Sequence, residues 1–234
     1  GARLFASSNG GATWELAGEA GGEGEGRFYE LVATDDAIIA IPGAAERGAF
    51  VYRNGELRRL YVPLFGTLDL NNARWIQAVR VTRFGDRILY TPRFWGPERA
   101  EPLFYLEDYE RGGVMVECLK DRRVTDIVVR DGTCYVLAKT VETPEDEEEE
   151  KDTSKEKTKP AADAGSKDQK PLEFTAEIYS SRNLTAWRCV ARCAVPALPL
   201  SLELYRQAFY IGLANHRPWN SADAASGKIL RVAE

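Results

Sequence analysis

Short runs of alternating apolar and polar residues, rich in Val, Ile, Phe and Tyr and bounded by Gly, Asn, Asp and Ser, recur along the whole chain. This is the pattern of half-buried β-strands in an antiparallel arrangement. The clearest marker is a two-residue turn followed by an apolar strand that ends in small or polar residues. It occurs at Asp35-Asp36 before AIIAIPG, Gly85-Asp86 before RILYTPR, Asp131-Gly132 before TCYVLAK and Arg206-Gln207 before AFYIGLA. The turns are 50, 46 and 75 residues apart, and the last spacing becomes 46 once the 29 residues of Thr143 to Pro171 are set aside. A period near 45 to 50 with several short strands per unit is that of a β-propeller blade.

Each unit divides into four strands, A to D. Strand A reads ELVAT, QAVRVTR, DIVVR and LSLELY, and strand B follows the turns above. Strand C reads RLFAS, AFVYR, PLFYLE, AEIYSS and GKILRV, and strand D reads TWELA, ELRRLYV, GVMVECL and AWRCVAR. Asn54-Gly55, between a C and a D strand, is a type I′ hairpin signal. The expected fold class is all-β: a β-propeller of about five blades of four antiparallel strands, or part of a larger propeller, forming one domain over 1–234. The order is C-D, three complete blades, then A-B-C. That order fits a four-bladed ring with a surplus strand, a five-bladed ring whose incomplete ends adjoin, or the back part of a six- or seven-bladed ring.

Composition narrows the function. The 234 residues are 44% hydrophobic and 29% charged, with 31 basic against 36 acidic side chains and a net charge of -5, enough for a large core. No apolar run reaches the roughly 18 residues a membrane span needs. The basic residues are scattered rather than striped, so nucleic acid is not an expected partner. Most of the negative charge sits in Thr143 to Pro171, which has ten acids, six lysines and no large apolar side chain. It reads as a disordered acidic insertion, residues 143–171, in a B-to-C loop. The chain begins at Gly1 and its one methionine is Met115, as in a processed product. Cys118, Cys134, Cys189 and Cys193 form no CxxC pair; they read as buried thiols, with one long-range disulfide as the alternative. A single histidine cannot build a multi-histidine metal site, and no Gly-rich loop precedes a helix, so neither a metal nor another cofactor is expected.

Four-stranded blades put the A-to-B and C-to-D turns on one face of the ring and the B-to-C and D-to-A loops on the other. The second face carries the unusual loops, with Arg93, Trp95, His216, Arg217 and Trp219 in B-to-C connections and Arg74, Trp75 and Arg122 in D-to-A connections. Arginine beside tryptophan suits sugar stacking with carboxylate recognition, or a protein hot spot. These eight are the candidate ligand-binding residues.

The segment Ser7-Ser8-Asn9-Gly10-Gly11-Ala12-Thr13-Trp14 resembles the Asp-box, or BNR, repeat of sialidase-like propellers, whose pattern is SxDxGxTW. Ser7, Gly11, Thr13 and Trp14 match, and Asn9 stands at the Asp position. These five are expected to be structural, with Trp14 anchoring the hairpin against its blade, so that Trp14→Ala would cost about 3–5 kcal/mol. In Ser180 to Trp187, the first Ser and the Trp are kept, while Arg182, Leu184 and Ala186 replace Asp, Gly and Thr. The resemblance implies a secreted or periplasmic propeller, but not catalysis, because Asp boxes occur in hydrolases, receptors and assembly factors alike. A sialidase would need an arginine triad, a Tyr nucleophile with its Glu, and an Asp acid/base; Arg93, Arg122 and Arg217 offer a triad, but spacing assigns no Tyr–Glu pair. A generic glycosidase would need two carboxylates about 5–10 Å apart, with Asp69 and Asp126 the nearest candidates. The expected function is therefore a non-catalytic, monomeric binding or scaffold module for a glycan or protein ligand, with an extracellular glycoside hydrolase as the alternative.

Overall fold

The computed structural model describes residues 2–20, 27–42, 49–60, 64–65, 76–94, 99–107, 111–140, 174–214 and 227–233. These residues form five antiparallel sheets. Sheet 1 holds β1 (Ala2–Ala6) and β2 (Glu15–Ala20). Sheet 2 holds β3 (Phe28–Ala33), β4 (Ile38–Pro42), β5 (Ala49–Arg53) and β6 (Glu56–Leu60). Sheet 3 runs β7 (Ile76–Phe84), β8 (Arg87–Phe94), β9 (Phe104–Leu106) and β10 (Gly113–Met115), and is followed by a 3-10 turn at Glu117–Leu119. Sheet 4 runs β11 (Arg122–Arg130), β12 (Thr133–Thr140), β13 (Phe174–Ser181) and β14 (Arg188–Val195). Sheet 5 holds β15 (Leu198–Tyr205), β16 (Ala208–Ala214) and β17 (Ile229–Ala233). Every sheet is a meander in chain order, so the strands fall where turn spacing and alternation put them. The acidic insertion lies outside the described residues.

The tight turns explain the registers. Asn54 and Gly55 both have positive φ, as do Asp131 with Gly132 and Arg206 with Gln207, so these loops twist in the sense that joins two right-twisted strands. Gly85 supplies positive φ before Asp86, in a two-residue loop between Phe84 and Arg87.

Adjacent sheets bury four successive seams. Ala2 and Ala20 meet Ala40 and Phe50 between sheets 1 and 2. Ile39, Ile41 and Leu60 meet Ile88, Tyr90 and Phe104 between sheets 2 and 3. Leu89 and Leu103 meet Val124, Val136 and Ala138 between sheets 3 and 4. Leu137 and Ile178 meet Phe209 and Ile211 between sheets 4 and 5. Second strands therefore read as apolar runs because both their faces are covered: Leu89 fills one seam while its neighbours Ile88 and Tyr90 fill another. In the second seam Tyr90 stacks on Phe104 with centroids 5.9 Å apart and donates its hydroxyl to the Leu64 carbonyl. Gly113 makes this approach possible, because a Cβ there would lie 1.9 Å from the Tyr90 hydroxyl and 2.0 Å from the Leu64 oxygen.

The first strands β3, β7, β11 and β15 pack against one another in succession. Each carries one register irregularity against its partner, at Phe28/Glu30, Val79/Thr82, Val124/Asp126 and Pro199/Ser201. A β-bulge bends its strand and strengthens local twist; here it recurs in all four sheets that have a first strand.

Candidate functional site

The side chains expected to bind ligand divide into two groups. Arg74, Trp75, Trp95, His216, Arg217 and Trp219 lie outside the described residues, as does Asp69. Arg93 is half-buried near the end of β8, and Arg122 opens β11. Both stand at the ends of their sheets opposite the tight turns, as antiparallel meanders require.

Arg122 is committed to a buried knot. Its Nε lies 2.7 Å from Glu177 Oε2, and Glu177 is 0% exposed. Arg192 Nη2 pairs with Glu177 Oε1, and the Tyr179 hydroxyl donates to Glu177 Oε2 at 3.1 Å. Arg122, Glu177, Tyr179 and Arg192 project from one face of sheet 4 across β11, β13 and β14. A buried carboxylate is costly unless paired and hydrogen-bonded, and Glu177 has both. Next to it, nearly buried Glu101 pairs with Arg123 at 3.0 Å. The Glu101 backbone takes the free edge of β11, donating to the Arg122 carbonyl and accepting from the Val124 amide.

Asp126 holds the next free edge. Its Oδ2 accepts from the Leu202 amide of β15 at 2.8 Å and its Oδ1 accepts from the Ile127 amide at 3.0 Å. Arg80, at φ +54 in the β7 bulge, donates to the Thr125 carbonyl at 2.9 Å and stands 3.9 Å from Asp126. Burial raises the Asp126 carboxyl above its usual range, against the lowering effect of the Leu202 amide and Arg80. Asp126 is thus a latch between first strands.

The Ser7–Trp14 turn closes on itself. Ser7 Oγ accepts from the Gly11 amide at 2.8 Å and donates to Asn9 Oδ1 at 2.9 Å. Asn9 Oδ1 also accepts from the Thr13 amide at 2.9 Å, and Asn9 Nδ2 donates to Thr13 Oγ1 at 2.8 Å. Gly10 and Gly11 take positive φ. Trp14 corrects the sequence-based expectation: it donates Nε1 to the Gly11 carbonyl at 3.1 Å but is 63% exposed. It covers its own turn and does not anchor the hairpin in a core.

The β13–β14 turn repeats this wiring one residue shorter. Ser181 Oγ accepts from the Leu184 amide at 2.9 Å, and Asn183 Oδ1 accepts from the Ala186 amide at 2.9 Å. Trp187 Nε1 donates to the Leu184 carbonyl at 2.9 Å. Ser181 and Asn183 therefore hold this turn, not Ser180 and Arg182, and Leu184 takes the positive φ of a glycine. Here the tryptophan is half-buried against the seam of sheets 3 and 4. Allowing one deleted residue between Ser and Trp is the sequence signal that would have found it.

A cavity adjoins each of these turns. The larger, about 500 Å³, lies beside Ser180, Arg182, Trp187 and Arg188, with Thr133 and Tyr135 from β12. The smaller, about 260 Å³, lies beside Ser7, Thr13 and Glu15, with Tyr52 from the neighbouring sheet. The four cysteines are free, and only Cys134 is fully buried, its thiol pushed up to about 12 by burial. Among the described residues no cluster of His, Cys, Asp and Glu could hold a metal ion, and no helix is long and apolar enough to cross a membrane.

No protein-family model matches the chain, and no curated protein is similar enough in sequence to stand as a relative.

Proposed function

We propose that this chain is a non-catalytic binding or scaffold module built as a β-propeller of the Asp-box kind, of about five blades or as part of a larger propeller. The five meandering sheets, the succession of first strands and the two serine–asparagine turns support the propeller reading. One observation carries the non-catalytic part: among the described residues, the buried and half-buried carboxylates Glu177, Glu101 and Asp126 are already tied into the framework. Glu177 is closed by two arginines and a tyrosine, Glu101 by Arg123, and Asp126 by two backbone amides. Acid/base work in glycoside hydrolysis needs a carboxyl that reaches the scissile bond.

The alternative reading as a glycoside hydrolase draws on one feature, the Tyr179–Glu177 hydrogen bond beside Arg122. That pair lies on the third strand of sheet 4, and its carboxylate is sealed from solvent, so no sugar reaches it without opening the seam. The ligand is expected to be a glycan or a protein met on the loop face through Arg93 and the Arg/Trp loops, with the protein secreted or periplasmic.

A glycan array followed by reducing-end analysis tests this. The expected result is retention of a glycan with no new reducing ends. Release of reducing ends that disappears in Glu177→Gln, Glu101→Gln or Asp126→Asn would replace the binding module with a hydrolase.

A further inference from the structure

The larger cavity lies at the opposite end of sheet 4 from the loop face, and its chemistry differs from that of its counterpart on sheet 1. Two arginines, Arg182 and Arg188, line it together with Trp187, Tyr135, Ser180 and Thr133, and no acidic residue is among the described residues that line it. The counterpart beside the first turn has Glu15 and no arginine. Equivalent wiring in the two turns thus leaves the wall chemistry free, and the positive charge belongs to this cavity alone of the two.

Neither arginine is paired with a carboxylate among the described residues. Arg182 is exposed and has neither hydrogen bond nor ion pair among the described residues, and Arg188 uses only Nε, which donates to Ser180 Oγ at 3.3 Å. By contrast Arg80, Arg87, Arg122, Arg123 and Arg192 each stand beside a carboxylate. The walls are also stiff. Trp187 is fixed by its bond to the Leu184 carbonyl, Ser180 is buried, and Tyr135 packs edge-on against Phe209 at 5.3 Å. Aromatic walls beside guanidiniums that have no carboxylate partner form a pocket organised for a planar anion attached to a polar ring.

We infer that this cavity binds an acidic saccharide, with Arg182 and Arg188 taking a sugar carboxylate and Tyr135 and the hydroxyls taking the ring, while Trp187 walls the cavity from the turn. Guanidinium and carboxylate match as a two-point fork, and an aromatic ring presents an apolar face that suits the C–H face of a sugar. The volume lies in the roughly 300–1,000 Å³ range of small-molecule sites, larger than a bare anion requires. This site is separate from the loop face proposed above and stands or falls independently of it.

The test is calorimetric titration of the whole chain with digalacturonate, with galactobiose as the neutral control and inorganic phosphate as the bare anion. Saturable binding of digalacturonate alone is expected, weakened at least about tenfold in Arg182→Gln and further in the Arg182→Gln/Arg188→Gln double variant, with Tm unchanged in Arg182→Gln. Absence of saturable binding overturns the inference. So does equal binding of galactobiose, which removes the role of charge, or equal competition by phosphate, which makes the cavity a simple anion site. Digalacturonate binding that survives the double variant places the ligand elsewhere and overturns it as well.

Discussion

Trp14 and Trp187 occupy the same place in two turns wired alike, each giving its indole N–H to a backbone carbonyl three residues earlier. What separates them is the neighbouring sheet. Trp187 reaches the seam between sheets 3 and 4, whereas Trp14 is left mostly in solvent. Trp14→Ala is therefore expected to cost about 1 kcal/mol, the value of one exposed hydrogen bond, and Trp187→Ala about 2–3 kcal/mol, at or below the low end for a buried aromatic because the ring is half-buried. Urea melts of the two variants measure this directly, and equal costs would mean that the turns, not the seam, set the energies. The turn at Trp14 was legible in the sequence because Ser, Asn, Gly and Thr act on their own backbone. Its exposure was not, since exposure depends on residues far along the chain. Glu177 was hidden for a related reason: in AEIYSS it takes a polar position that alternation turns toward water, yet Ala176, Glu177 and Ile178 are all buried.

At the level of strands, two-residue turns and alternation sufficed to place the meanders. The bulges are not legible in the sequence because Tyr29, Arg80 with Val81, Thr125 and Leu200, the residues at these irregularities, share no side-chain type. They matter because the bulged strands are sheet edges, and an edge with unpaired amides invites unwanted pairing. Asp126 answers one such amide, that of Leu202. Its carboxyl is raised above the usual value of 3.8, chiefly by burial, so the folded state holds that proton more tightly than the unfolded chain. The stability that Asp126 contributes is then greatest at low pH and falls as pH rises from about 4 through its native value. Melts of the parent and Asp126→Asn from about pH 4 to 7 should show their difference changing in that direction. A difference that grows in favour of the parent with rising pH would contradict the burial argument.

Across the whole molecule the seams are unequal. Sheets 2 to 5 meet through broad clusters that include Phe104, Leu137 and Phe209, whereas sheet 1 rests mainly on Ala2, Ala20, Ala40 and Phe50. Stability in a stack of units is close to a sum of nearest-neighbour contacts, so opening should be graded along it. In hydrogen exchange read by mass spectrometry, peptides from Ala2–Ala20 are expected to exchange at least about tenfold faster than those from Arg122–Thr140. Uniform protection would mean that the five sheets open together.

The recurring bulge bears on how such a chain can change over generations. Each first strand carries the same kind of irregularity against its partner and packs on the next first strand, so the units from sheet 2 to sheet 5 are joined in a similar way. Duplicating or losing one stretch of about one repeat period, some 45 to 50 residues, therefore creates a junction of a kind already present. Insertions of other lengths are tolerated only where strands turn back at the loop end, and it is there, between β12 and β13, that the chain carries its longest departure from the repeat.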